Sequence, residues 1–194
     1  GPTTFLALLS MAALGEGWDL QSAKLSPDPA TGRTLEGGTL ELRIPSKRSC
    51  GWWTRTQPID PAKGGVRFTA RAEISLDQAG DQVFNDLMMY VTWNFPKDGL
   101  KRKGAFFQKD FITYTDKSEG GKVLRLFDET YSAPEGCDSV TVEFIGKWHA
   151  MTAKISDVKL EGVARPKPRM VRCVVGNPHE RGFRCWKTPE ETIK

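Results

Sequence analysis

The sequence predicts an all-β fold, a two-sheet β-sandwich, and three observations carry that prediction. Apolar and polar residues alternate with period two over several segments. The breaks between them, "PDPATG", "DPAKGG", "FPKDG", "SEGG" and "APEG", all have turn chemistry. No stretch of this region sustains a helical period over three turns. Several half-buried strands at short spacing imply a sandwich.

The clearest element is "GGVRFTARAEISL". Val66, Phe68, Ala70, Ala72, Ile74 and Leu76 share one face, and Arg67, Thr69, Arg71, Glu73 and Ser75 the other. "DLMMYVTWNF" sets Leu87, Met89, Val91, Trp93 and Phe95 against Met88, Tyr90, Thr92 and Asn94. "DSVTVEFIG" groups Val140, Val142 and Phe144. "TLELRIP", "CGWWTRTQPI", "KVLRLFD" and "AMTAKISDVKLEG" complete the expected strands.

The chain has 194 residues, with 39% hydrophobic and 27% charged residues, which suits a globular domain and argues against disorder. Its net charge of +4 is unevenly spread. Residues 163–187 carry seven Lys and Arg against one acid, while the first 162 hold 20 basic and 21 acidic side chains. The main domain is therefore not expected to bind nucleic acid. The basic tail reads as a solvated linker.

Residues 1–15 begin with "GP", a tag-scar dipeptide, followed by the apolar run Phe5–Leu14 and the small-x-small site Ala13-Leu14-Gly15. That pattern suits either a secretory signal without its basic region or a short buried element. As a signal it implies export, and it is too short to span a membrane. The four cysteines, Cys50, Cys137, Cys173 and Cys185, form no C-x-x-C pair, and neither His149 nor His179 is spaced as a zinc ligand with them. Four cysteines allow three pairings; Cys173 and Cys185 are candidates to be partners or to be free.

A second boundary falls in "GVARPKPRM", where two prolines among basic residues (164–170) make a stiff connector. "MVRCVV" then reads as a strand buried on both faces, as in a parallel α/β sheet. After the loop "GNPHERGFRCWK", "TPEETIK" carries a helix start: Thr188 as N-cap, Pro189 at the first helical position, Glu191 completing a capping box. Residues 171–194 are expected to open a second domain of α/β class.

Three stretches, in order, carry a resemblance: "GWWTRTQPIDPAKGGVRFTARAEI", "YSAPEGCDSVTVEF" and "AKISDVKLEGV". Over residues 16–163 the chain resembles the galactose-binding-like jelly-roll modules of the carbohydrate-binding families. The tail's "VRCVV" and "TPEET" resemble the opening of the carbon–nitrogen hydrolase (nitrilase-like) domain. Together these imply a non-catalytic module that binds glycan, attached in cis to a C-terminal hydrolase, an arrangement met in bacterial proteins. The family's catalytic Glu, Lys and Cys lie beyond its first helix, so Cys173 and Cys185 do not match its nucleophile. The resemblance also implies a structural calcium held by Asp157 and an acid such as Glu16, although Ser156 replaces an aspartate of the family pattern.

Sugar binding requires aromatic faces and planar polar groups in a pre-formed groove. The candidates are Trp52, Trp53, Arg71, Tyr90, Asn94 and Arg125. Trp52 and Trp53 are adjacent, so in a strand they face opposite ways; if Trp53 shares the side of Ile59 it is core and Trp52 is the platform. Trp93 is expected in the core, and His149 in a structural role. Two other readings remain. One is an assembly module that positions the catalytic domain without binding sugar. The other is a sandwich enzyme using paired carboxylates such as Glu73 and Glu143.

Overall fold

The computed structural model describes residues 17–24, 26–78, 80–95 and 108–167, with the backbone of two short strands at 172–174 and 184–186. Among the described residues eleven strands build two antiparallel sheets, the β-sandwich that the alternation predicts, with the jelly-roll class that the resemblance implies. The five-stranded sheet has the order β1 (Asp19–Ser22), β4 (Cys50–Pro58), β10 (Ser139–Lys147), β6 (Leu87–Asn94), β7 (Gln108–Phe111). The six-stranded sheet has β2 (Thr31–Thr34), β3 (Leu40–Ile44), β11 (Met151–Ala164), β5 (Gly64–Leu76), β9 (Lys122–Ser132), β8 (Tyr114–Glu119).

β5, β6 and β10 each bury the side that alternation assigns to them. Phe68, Ala72 and Ile74 of β5, Leu87, Met89, Val91 and Trp93 of β6, and Val140, Val142 and Phe144 of β10 are all buried. Aromatic rings pack edge to face within the six-stranded sheet (Tyr114 on Phe127) and between the two layers (Phe127 on Phe144, Phe68 on Trp93). Tyr114 meets Phe127 at 5.9 Å, Phe127 meets Phe144 at 5.9 Å, and Phe68 meets Trp93 at 5.7 Å. Gly146 continues the inward row of β10 where the sheets come too close for a side chain. A Cβ there would lie 2.8 Å from Met151 Cε and 2.9 Å from atoms of both Ile44 and Leu42.

Four strands, β1, β2, β7 and β8, were not legible in the sequence. All are edge or near-edge strands of four to six residues, too short to show a period. A further pair, β12 (Arg172–Val174) and β13 (Arg184–Trp186), forms a separate two-stranded antiparallel sheet. This differs from the expected tail. "RCV" pairs with Arg184–Trp186, inside the stretch read as a loop, and the pairing is antiparallel. The expected helix start at Thr188, like the signal-like segment 1–15, lies outside the described residues. Among the described residues no helix is long and apolar enough to cross a membrane.

Candidate functional site

The candidate residues separate into three environments. Trp53 is core, 6% exposed, and its indole Nε1–H donates to the Glu41 carbonyl on β3 at 3.1 Å, tying one sheet to the other. Of the two parities open for the tryptophan pair, this is the one that turns Trp52 outward.

Arg125 departs from the sequence reading. It was grouped with the polar-facing residues, yet it is 0% exposed. Along β9, Arg125 and Phe127 point inward while Leu124 and Leu126 point outward, and Leu126 is 52% exposed. The local pattern "VLRLF" fits either parity, because each face receives apolar residues. Tertiary partners decide it. The guanidinium donates to both Asp116 carboxylate oxygens at 2.8 and 2.7 Å and to the Leu87 carbonyl at 2.5 Å, and it stacks 3.7 Å from the Tyr114 ring centroid. Asp116 and Tyr114 belong to β8, a strand the sequence did not reveal. Arg125 is therefore a core residue and is unavailable to a ligand in a surface groove.

Arg71 lies on the outer face of the six-stranded sheet, opposite Leu126 on β9 and Ser156 on β11. That face is laced with ion pairs: Arg33–Glu41 at 2.9 Å, Arg67–Asp128 at 2.8 Å and Glu73–Lys122 at 2.7 Å. Lys122 and its hydrogen bond hold the Glu73 carboxyl below its usual range.

The other outer face gathers the remaining candidates. Antiparallel register across β4, β10 and β6 aligns rows at right angles to the strands. The first is Trp52, Ile145, Met88; the second Thr54, Glu143, Tyr90; the third Thr56, Thr141, Thr92; the fourth Pro58, Ser139, Asn94. β1 extends these rows with Gln21 beside Trp52 and Asp19 beside Thr54, and β7 sets Phe111 beside Tyr90. Two strand spacings and two residues separate Trp52 from Tyr90, roughly 12 Å, and the rows from Trp52 to Asn94 run roughly 20 Å along the strands.

The chemistry is graded along this face. One end is apolar. At the centre Tyr90 packs edge to face on Phe111 at 5.8 Å, and its hydroxyl bonds Met88 Sδ at 3.4 Å. The other end is polar: Thr56 and Thr141 share a hydroxyl hydrogen bond at 2.7 Å, and Asn94 Nδ2, from the next row, donates to Thr141 Oγ1 at 3.0 Å. Three sequence candidates (Trp52, Tyr90 and Asn94) are thus brought together. Thr56 and Thr141 are not among the sequence candidates, because a threonine on an outward row looks like any strand residue until register aligns it with its neighbours. Glu143 lies on this face and Glu73 on the opposite one, so the two carboxylates do not form a catalytic pair.

At one end of the sandwich, Asp86 is buried and accepts from the Phe84 amide at 2.8 Å and bonds the His149 Nδ1. Asp81 stands 3.9 Å from His149 Nε2. These acids hold the imidazole's pKa above its ordinary value, the Asp86 hydrogen bond contributing most. The cluster clamps the 77–86 connection to the β10–β11 turn.

Asp157 takes a left-handed conformation (φ 53°) where the β11–β5 register slips between Ser156 and Lys159. The Ser156 hydroxyl donates to it at 3.4 Å. Its expected calcium partner Glu16 lies outside the described residues. Among the described residues no group of three or more His, Cys, Asp or Glu could hold a metal ion.

No family model and no curated protein matches the sequence. Solved structures similar to the chain include an enzymatically active domain of tailspike protein 4 from Bacteriophage CBA120 (13% identity, TM-score 0.47, 75% of this chain and 19% of that one). Two others are TmCBM61 in complex with β-1,4-galactotriose (9% identity, TM-score 0.42, 77% and 91%) and the CBM22-2 xylan-binding domain of Paenibacillus barcinonensis Xyn10C (11% identity, TM-score 0.45, 76% and 92%). The chain spans about a fifth of the tailspike domain but nine-tenths of the two binding modules. The fold assignment rests on the strand order above and not on these likenesses.

Proposed function

We propose that the chain is a carbohydrate-binding module whose site is the outer face of the five-stranded sheet. The observation that carries this reading is the alignment of Trp52, Tyr90 and Asn94 on one face, with the hydrogen-bonded Thr56, Thr141 and Asn94 side chains at its polar end. A glycan chain presents alternating apolar ring faces and hydroxyls. Trp52 and Tyr90 supply aromatic surface for the first, and the threonine hydroxyls and the Asn94 amide supply partners for the second. Strands hold these groups rigidly, so little ordering cost falls on binding. The module binds and does not cleave, and it is exported to meet polymeric substrates.

The test is a titration of the full chain with a panel of soluble β-linked glucans, galactans, mannans and xylans, read by tryptophan fluorescence and calorimetry. Binding of at least one, weakened about tenfold or more by Trp52→Ala or Tyr90→Ala and unchanged by Leu126→Ala, is expected; loss of one stacking aromatic costs on the order of 1–3 kcal/mol. No binding across the panel overturns the reading.

One observation favours an assembly role instead. Leu124 and the half-exposed Leu126 make an apolar patch beside Arg71, Thr115 and Lys117 on the opposite face. In that reading Leu126→Ala weakens association with a catalytic domain in cis and glycans leave the fluorescence unmoved. Attachment to a nitrilase-like hydrolase is supported by the "TPEET" motif alone.

A further inference from the structure

Of the four cysteines, the topology sets only two opposite one another. In the β12–β13 hairpin the register pairs Cys173 with Cys185, between Arg172–Trp186 on one side and Val174–Arg184 on the other. Directly opposed residues of an antiparallel pair have Cα atoms about 4.5 or 5.5 Å apart, and both values fall within the roughly 4.4–6.8 Å a disulfide spans.

The remaining two cysteines cannot pair with each other. Cys50 opens β4 opposite Lys147, whereas Cys137 precedes β10, whose first residue Ser139 faces Pro58 at the far end of β4. Eight residues of strand separate those ends, roughly 26 Å, far beyond the ~7 Å limit on Cα separation. Both are free thiols. Cys137 is buried and donates its S–H to the Ser139 carbonyl at 3.2 Å. Burial raises the pKa of both thiols, which makes them poor thiolates and slow to exchange.

We propose that Cys173 and Cys185 form an oxidative cross-link that locks the C-terminal hairpin. An isolated two-stranded hairpin with three-residue arms is marginal in water, so it gains most from a covalent tie. The chemistry is thiol–disulfide exchange with a small-molecule or protein disulfide as oxidant. The thiolate of one cysteine attacks the oxidant's disulfide and expels one of its thiols. The second thiolate then attacks the mixed disulfide and expels the other. Two protons leave the cysteines and the oxidant is reduced to two thiols. The hairpin is thereby fixed in an oxidising compartment and released in a reducing one, independently of any ligand on the sandwich.

The experiment incubates the full chain with oxidised glutathione, blocks remaining thiols with N-ethylmaleimide and digests with trypsin without reduction. The expected product joins the peptide Cys173–Arg181 to Cys185–Lys187, is two hydrogens lighter than their sum, and disappears with dithiothreitol. Cys50 and Cys137 are expected to carry the maleimide. Mixing isotopically labelled and unlabelled chains gives no hybrid cross-link. Cys185→Ser abolishes the product and leaves the sandwich's thermal transition where it was. Amide exchange in 172–174 and 184–186 is expected to slow about tenfold or more on oxidation. Recovery of both cysteines as maleimide adducts, bridges to Cys50 or Cys137, hybrid cross-links, or equal exchange in the two redox states would each overturn the proposal.

Discussion

Replacing Arg125 by Met tests whether the buried ion pair organises the rim between β8, β9 and β6. The substitution keeps an apolar stem and removes the guanidinium. It deletes two charge-assisted bonds to Asp116, the donor to the buried Leu87 carbonyl and the cation stacked on Tyr114. An orphaned buried carbonyl costs about 1–3 kcal/mol, hydrogen bonds to charged groups contribute about 1.5–3 kcal/mol, and the stacking adds about 0.5–2 kcal/mol. These terms overlap, and Asp116 regains water because its side chain is 30% exposed. The expected loss is therefore about 3 kcal/mol, the lower end of the range for breaking one side of a buried pair. For a domain of this size that lowers Tm by roughly 6–12 °C. Urea unfolding of the full chain, followed by fluorescence, measures it directly. The double substitution Arg125→Met with Asp116→Leu should recover part of the loss, because no charge is then left without its partner. A loss below about 1 kcal/mol for Arg125→Met alone, or no recovery in the double variant, would refute the assignment of Arg125 as a structural core residue.

Other predictions follow from the same packing. Gly146→Val places atoms against Met151, Ile44 and Leu42 and should destabilise the fold by about 1–3 kcal/mol or more by calorimetry, whereas Gly37→Ala, open on all sides but at φ 75°, should cost only about 1 kcal/mol. Trp53→Ala should cost about 3–5 kcal/mol, and Trp52→Ala under about 1 kcal/mol; equal losses would mean the parity of β4 is misread. His149 has a folded pKa raised above its ordinary 6.5, so its contribution is fully present below about pH 6.5 and is lost as pH rises through the raised value. The effect is small because His149 is 35% exposed, and His149→Gln should flatten the fall in urea midpoint over that window.

Alternation alone specified the long strands. In β5, β6 and β10 every second residue is apolar over three to six positions, and a strand with one buried side has no other way to place them. The same rule put Tyr90 and Asn94 on outward rows without saying that they share a sheet with Trp52, whose parity it left open. Two features defeated it. β9 carries apolar residues on both faces, so its parity was set by Asp116 and Tyr114 across the β8 ladder. The tail's apolar run was consistent with a buried parallel strand, and only pairing with Arg184–Trp186 made it a hairpin.

What the sequence determined by itself was local: where the seven longer strands lie, where they turn, and which side of β5, β6 and β10 is apolar, because these follow from a period of two and from turn residues. What only the tertiary structure decided was adjacency. Strand order set Tyr90 beside Glu143 in one row with Thr54, put Arg71 on the opposite face from Trp52, and drew Arg125 into the core. Those outcomes depend on register between strands up to about ninety residues apart, and no local pattern encodes them.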